Sequence, residues 1–156
     1  MNPILRILER TDGSVTSIIE ALTGERAKIK TIEQKVIGAS PEIAEKLNIN
    51  EGDEVNFRVV DIFSAGIRFA RAVSYTPLKR LDESFKRDLM SADIPVGKII
   101  RKYKLEVRRE INWSCIKENE LGKCLVRNYS IIHRGEVLIN ITESFPFSAF
   151  DGLRWE

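Results

Sequence analysis

At 156 residues, with 43% hydrophobic and 31% charged side chains, the chain has the composition of an ordinary folded protein and not of a disordered one. Its 25 basic and 23 acidic groups leave a net charge of +2, too balanced to argue for a nucleic-acid partner. One histidine excludes a multi-histidine metal site, and no apolar run approaches the ~18 residues of a membrane span.

The opening Ile4, Leu5, Ile7 and Leu8 fall at helical spacing and lack the apolar core of a secretory signal, so the expected compartment is the cytoplasm. Thr11-Asp12-Gly13-Ser14 is a turn with several N-cap candidates. It leads into a helix bearing Ile18, Ile19 and Leu22 that Gly24 stops. A strand is expected from Ala27 to Val36, and Ser40-Pro41-Glu42 starts a helix that runs to about Leu47. Val55 to Phe63 and Ile67 to Tyr75 are strands joined at Ser64-Ala65-Gly66 as a hairpin. Pro77 through Met90 reads as one helix with Leu78, Leu81, Phe85 and Leu89 on one side, and another begins at Pro95. Three strands follow, Leu105 to Ile116, Cys124 to Ile132 and Val137 to Phe145, with Gly122 and Gly135 at the turns. Cys115 and Cys124 read as reduced thiols. The tail with Phe150, Leu153 and Trp155 either caps the sheet or meets a partner. The pattern predicts a single α+β domain over residues 1–156, built on an antiparallel sheet of about six strands with helices packed on it.

Two of these strands carry a charge among apolar neighbours. Ile67, Phe69, Arg71, Val73 and Tyr75 form one stripe at period two, and Val137, Ile139, Ile141, Glu143 and Phe145 form another. A buried charge needs a partner, either another side chain or a ligand. A pocket for a small polar-ended molecule and a structural Arg–Glu pair are both open at this point. If the hairpin loop holds two or four residues, paired numbers across it sum to an odd value. Arg58 then shares the face of Arg71, and Asp61 pairs with Arg68 on the other face; a three-residue loop breaks this scheme. Two arginines side by side suit a carboxylate, whose oxygens match the guanidinium fork. Their alternative is separate partners within the fold. The helix start at Val96-Gly97 is a second candidate anion site, through amides the helix leaves unbonded, with a plain helix start as its alternative. Arg127 is a further candidate, for the ligand or as the ion-pair partner of Glu143.

Five segments carry a wider likeness: Asp12-Gly13-Ser14-Val15-Thr16, Phe57-Arg58-Val59, Ala70-Arg71-Ala72-Val73, Pro95-Val96-Gly97 and Ile141-Thr142-Glu143-Ser144-Phe145-Pro146. In this order they resemble the chorismate pyruvate-lyase family, especially its short microbial homologues, over nearly the whole chain. The resemblance implies a six-stranded antiparallel sheet with helices packed on it and a ligand cavity sealed from solvent. It implies conversion of chorismate to 4-hydroxybenzoate and pyruvate, with neither metal nor organic cofactor. By the same likeness Arg58 and the Val96-Gly97 backbone hold the ring carboxylate, and Arg71 takes the enolpyruvyl carboxylate. Glu143 meets the oxygen at ring position four as hydrogen-bond partner and general acid or base. The catalytic residues are then Glu143 and Arg71, and the substrate-binding residues Arg58, Arg71, Val96, Gly97 and Arg127. Ala70 departs from the glycine common before the second arginine, Val96 from leucine, and the link between the arginines is slightly short. The partner expected is a small aromatic carboxylate, with no nucleic acid and no membrane span, and the sequence does not specify an oligomeric state. The alternative function is a non-catalytic binding domain for such a carboxylate, since ligand-sensing domains of transcription regulators share the architecture. Those regulators also carry a helix-turn-helix module for which this chain is too short.

Overall fold

A computed structural model describes residues 1–91 and 93–153. Six strands form one fully antiparallel sheet in the order β1-β2-β3-β6-β5-β4. They are β1 (Lys28–Gly38), β2 (Glu54–Ser64), β3 (Ile67–Pro77), β4 (Val107–Asn119), β5 (Gly122–His133) and β6 (Glu136–Pro146). The α+β architecture expected from the sequence is therefore present. β2 and β3, β4 and β5, and β5 and β6 pair as hairpins, β1 pairs with β2 across a connection that holds a helix at Pro41–Leu47, and β3 beside β6 joins the two halves.

Helices α1 (Pro3–Arg10), α2 (Val15–Thr23), α4 (Glu83–Ser91), α5 (Val96–Lys102) and α6 (Phe147–Asp151) contribute to one core over the sheet. Local chemistry places their ends. The Ser14 and Ser40 hydroxyls accept from the backbone N–H of Ser17 and Ile43, each at 3.3 Å, and Gly24 ends α2 at φ 73°. The tail expected to cap the sheet or meet a partner caps it in part: Phe150 in α6 is fully buried, with its ring 5.3 Å from Phe69 and 6.3 Å from Phe145. Trp155 lies outside the described residues. α3 (Pro41–Leu47) forms a separate small cluster with Val55, Tyr75 and Val137.

The single helix expected over Pro77 to Met90 is divided. Leu78–Arg80 is one 3-10 turn, and α4 begins only at Glu83, where the Asp82 carboxylate accepts from Phe85 N–H at 2.8 Å. Arg80 holds the turn in place, donating to the carbonyls of Leu47 and Val137 at 2.6 and 2.7 Å.

The face away from the main core carries a ladder of amides. Asn128 donates to Asn140 Oδ1 at 2.9 Å and to Thr142 Oγ1 at 3.0 Å, and Asn140 donates back to Asn128 and to Ser130 at 3.2 Å. Asn112 on β4 joins at 2.8 Å. Asn128 and Asn140 are buried, so each amide needs these partners.

The hairpin of β2 and β3 departs from the expected register. Its loop is the two residues Ala65-Gly66, both at positive φ, the geometry that matches strand twist. Ser64 faces Ile67 and Phe63 faces Arg68, so paired numbers sum to an odd value near the turn. Beyond that point a bulge shifts the ladder: Ile62 faces Ala70, Asp61 faces Arg71 and Arg58 faces Ser74. Phe69 is the added residue. It is fully buried in the main core together with its neighbour Ala70. Burying that ring breaks the alternation, and every β3 residue past it changes face relative to the simple count.

Candidate functional site

The bulge separates the two arginines that simple alternation puts side by side. Arg58 stays on the core face, with Val60 and Ile62. Arg71 turns to the opposite face, where it meets Asp61 with Nε to Oδ1 at 2.7 Å and Nη2 to Oδ2 at 3.0 Å. Its Nη1 reaches Glu120 at 3.2 Å, and Arg68 touches Asp61 at 3.4 Å. The expected Asp61–Arg68 contact exists, but Arg71 is the main partner. Placing Arg71 beside Arg58 in a carboxylate clamp is thus corrected, because one inserted residue reverses its face. Asp61 is buried, which alone would raise its pKa, but Arg71 and then Arg68 hold it below the usual carboxylate range. A carboxyl depressed in this way stabilises the fold above its ordinary pKa and loses that contribution as pH falls through the folded value. Arg71→Ala is expected to cost about 1–3 kcal/mol at neutral pH, the range for a buried polar group left unsatisfied. The loss should shrink in acid, as urea titrations at two pH values would read.

On the core face the sheet and helices line a half-open pocket. Its floor is Arg58, Val60 and Ile62 of β2, Ala72 and Ser74 of β3, and Ile141 and Glu143 of β6, with Tyr129 and Arg109 beyond them. Its roof is the start of α2 at Ser14–Thr16 and the segment Pro95-Val96-Gly97 that opens α5. The free volume is about 60 Å³. A cavity of ~150 Å³ holds benzene, so a ring-sized ligand requires this lining to move apart. Of the residues expected at a site, Arg58, Val96, Gly97 and Glu143 are brought together here.

Arg58 is 3% exposed and donates through Nη2 to the Ile94 carbonyl at 3.1 Å. Burial lowers its pKa and the charge of Asp93 opposes that shift. Asp93 in turn accepts from the Thr31 hydroxyl at 2.6 Å, which ties the roof segment to β1. The arginine therefore both faces the cavity and fixes the backbone above it.

At the other end Glu143 pairs with Arg127, Nε to Oε1 at 3.1 Å, with 4% and 0% of the two side chains exposed. Arg127 faces Glu143 across the β5–β6 ladder, donates to the Thr11 carbonyl at 2.7 Å, and lies over the Tyr129 ring at 4.7 Å. Arg127 is thus the structural partner of Glu143, one of the two roles expected for it, and stands behind the cavity lining. Burial pushes the Glu143 carboxyl above its usual range, against the pull of Arg127, Arg109 and the Tyr129 hydroxyl. Tyr129 is pushed far above the ordinary phenol range, first by burial and then by the charge of Glu143, while Arg127 and Arg109 oppose. A carboxyl raised in this way holds a proton more readily than an ordinary one, which suits a role in proton exchange.

Tyr129 and Arg109 were not among the expected site residues; Tyr129 reads from the sequence as an ordinary strand residue. The signal for Arg109 was the same one that marked Glu143: Val107, Arg109 and Ile111 alternate as an apolar stripe broken by one charge. A wider, open groove lies apart, around Arg80, His133 and Glu136. Arg80 there already bonds backbone carbonyls and Glu136. Among the described residues no group of three His, Cys, Asp or Glu side chains is placed to hold a metal ion. None of the described helices is long and apolar enough to cross a membrane.

Residues 10–152 match the family described as "Chorismate pyruvate-lyase Rv2949c-like". The chain is 39% identical over 155 residues to the protein named Putative lyase MJ0807 of Methanocaldococcus jannaschii, covering 90% of this chain and 76% of that one. It is 28% identical over 163 residues to the chorismate pyruvate-lyase of Mycobacterium leprae, covering 94% of this chain and 75% of that one. Among solved structures, PhnF from Mycobacterium smegmatis superposes with a TM-score of 0.70 at 14% identity, over 90% of this chain and 66% of that one. The PhnF effector domain alone gives 0.68 at 14% identity, over 87% of this chain and 90% of that one. At such identities the structural likeness concerns the fold alone.

Proposed function

The chain belongs to the Rv2949c-like chorismate pyruvate-lyase family, and from that premise we propose that it is a lyase that eliminates pyruvate from chorismate to leave 4-hydroxybenzoate. The observation that carries this reading is the core-face pocket with a buried arginine, Arg58, at one end and a carboxyl raised by burial, Glu143, at the other. A para-substituted ring acid has the same polarity, with a carboxylate at one end and an oxygen at the other. The ladder sets Arg58 beside Ser74 on β3 and Glu143 beside Ala72 on that strand, so the two lie two strands apart. At ~4.8 Å per strand their backbones are about 10 Å apart across the sheet, a span that two side chains and one ring can fill.

The ring is one elimination from aromaticity, which supplies the driving force and leaves positioning as the main task of the protein. The hydrogen on the ring carbon that bears the hydroxyl leaves, and its electron pair enters the ring. The bond from the neighbouring ring carbon to the ether oxygen breaks. The released enolpyruvate takes a proton on its methylene carbon and becomes pyruvate. Arg58 holds the ring carboxylate under Val96-Gly97, and Glu143 contacts the ring hydroxyl, held there by Arg127. None of these roles calls on a metal or an organic cofactor, and the expected setting is the cytoplasm.

Incubation of the purified protein with chorismate, followed by assay of both products, tests the reading. Equal amounts of pyruvate and 4-hydroxybenzoate are expected. If neither forms above the uncatalysed rate while 4-hydroxybenzoate still raises the melting temperature, the protein is a binding domain for aromatic carboxylates and not a lyase.

A further inference from the structure

The two margins of the sheet are not alike. At the β1 margin the Asp93 carboxylate takes the Thr31 backbone N–H at 3.3 Å, and the Gln34 amide donates to the Met90 carbonyl at 3.1 Å. Lys28, Lys30 and Lys35 also stand along that strand. At the other margin, among the described residues, β4 pairs with β5 alone. It is 13 residues long and leaves Ile111, Trp113 and Ile116 38%, 42% and 54% exposed. A long edge with exposed apolar side chains is a template for another strand. β4 also carries a bulge: Ile111 faces Tyr129 and Trp113 faces Asn128, so Asn112 is the added residue. Arg109, Ile111, Ser114 and Ile116, opposite Ile131, Tyr129, Arg127 and Leu125, lie on the core face. Glu110, Cys115 and Lys117, opposite Ser130, Val126 and Cys124, lie on the other.

We propose that a second copy of this chain pairs with β4, antiparallel about a two-fold axis at Ser114, and continues the sheet across a dimer. The inference does not depend on the reaction. Residues directly opposite in such a ladder share a face, so the open registers differ by steps of two residues. With the axis at Ser114, the bulged pair Asn112-Trp113 of each copy faces Cys115 of the other. Ile111 then meets Ile116, Glu110 meets Lys117 and Arg109 meets Glu118, and the symmetry makes each contact twice. A slip of two residues one way sets Arg108 against Lys117. A slip the other way sets Ile111 against Glu118 and Glu110 against Asn119. Neither slipped register pairs two opposite charges within the strand. Opposite charges and apolar pairs across a ladder favour it, and like charges oppose it, so β4 is its own complement in one register. A bulge ordinarily spoils an edge for pairing. Here the axis sets the two bulges symmetrically, and the wings on either side stay in phase.

The test exchanges charges on the full chain. Sedimentation velocity of the wild type, at concentrations up to about 1 mM, is expected to show a species of twice the 17.8 kDa chain mass. Glu110→Lys and Lys117→Glu, each alone, set like charges opposite at two points and should weaken self-association roughly 10-fold or more. Both positions are exposed, so the fold should tolerate either change. Mixing the two variants in equal amounts should restore the dimer, because each position then faces its opposite charge. That recovery also shows that both variants are folded. The double exchange in one chain should dimerise like the wild type. A wild type that stays monomeric throughout overturns the proposal. So does a dimer that neither single exchange weakens, or a mixture of the two variants that stays monomeric. Species larger than a dimer that grow with concentration would mean head-to-tail pairing of β4 with β1, and overturn it as well.

Discussion

Replacing Arg127 by methionine should destabilise the protein by about 3–5 kcal/mol at neutral pH, because it strips the partner from a buried carboxylate. Arg127 is fully buried and its guanidinium faces Glu143 and the Thr11 carbonyl. The pH dependence of the loss identifies its cause. Burial already raises the Glu143 pKa and Arg127 restrains the rise. Without Arg127 the folded pKa climbs further. A carboxyl raised in the folded state contributes its stability fully below the unfolded value of about 4.3 and loses it as pH rises through the folded value. The variant should therefore lie nearest to wild type in acid and fall behind progressively toward neutrality, as urea unfolding at several pH values would show. A gap that stays constant with pH would place the defect in lost packing or in the Thr11 bond. Replacing both partners, Arg127→Met with Glu143→Leu, should recover most of the loss, since a buried pair exchanged for apolar groups is often neutral.

Glu143→Gln addresses chemistry, with the shape of the side chain kept. Pyruvate release is expected to fall about 10²–10⁴-fold, the usual contribution of a positioned acid or base. 4-Hydroxybenzoate should still bind, because Arg58 and the roof are untouched. The wild-type rate profile should carry one titration above the usual carboxylate range, and the variant should lack it. Turnover within a few-fold of wild type in a folded Glu143→Gln protein would remove Glu143 from the reaction and leave elimination to positioning alone.

The residues that announced themselves in the sequence did so by interrupting a pattern. Glu143 among Ile139, Ile141 and Phe145 is such a residue, and the structure sets it in a cavity wall. The six strands followed from period-two alternation and glycine turns, and Arg58 from its apolar neighbours. What alternation hides is a change of phase. Whether Phe69 enters the core depends on Phe145 and Phe150, far along the chain, and that choice alone decides the face of Arg71. The pairing of Glu143 with Arg127 depends likewise on a register shift near Ile131 and Ile132. The break between the 3-10 turn and α4 was hidden for a different reason. Arg80 there answers to carbonyls of Leu47 and Val137, which no local propensity reports.

The amide ladder behind the sheet has a consequence for the cavity in front of it. A strand whose outer face carries only threonine and valine tolerates sliding by two residues, since its inward pattern is kept. Here such a slip of β5 against β6 would strand Asn128 and Asn140 without their mates, in a place water does not reach. The amides thus act as a ratchet with one permitted notch, and that notch is the one that sets Arg127 opposite Glu143. Sequence drift on the cavity side can then remodel the ligand's surroundings while the back of the sheet keeps the wall in register.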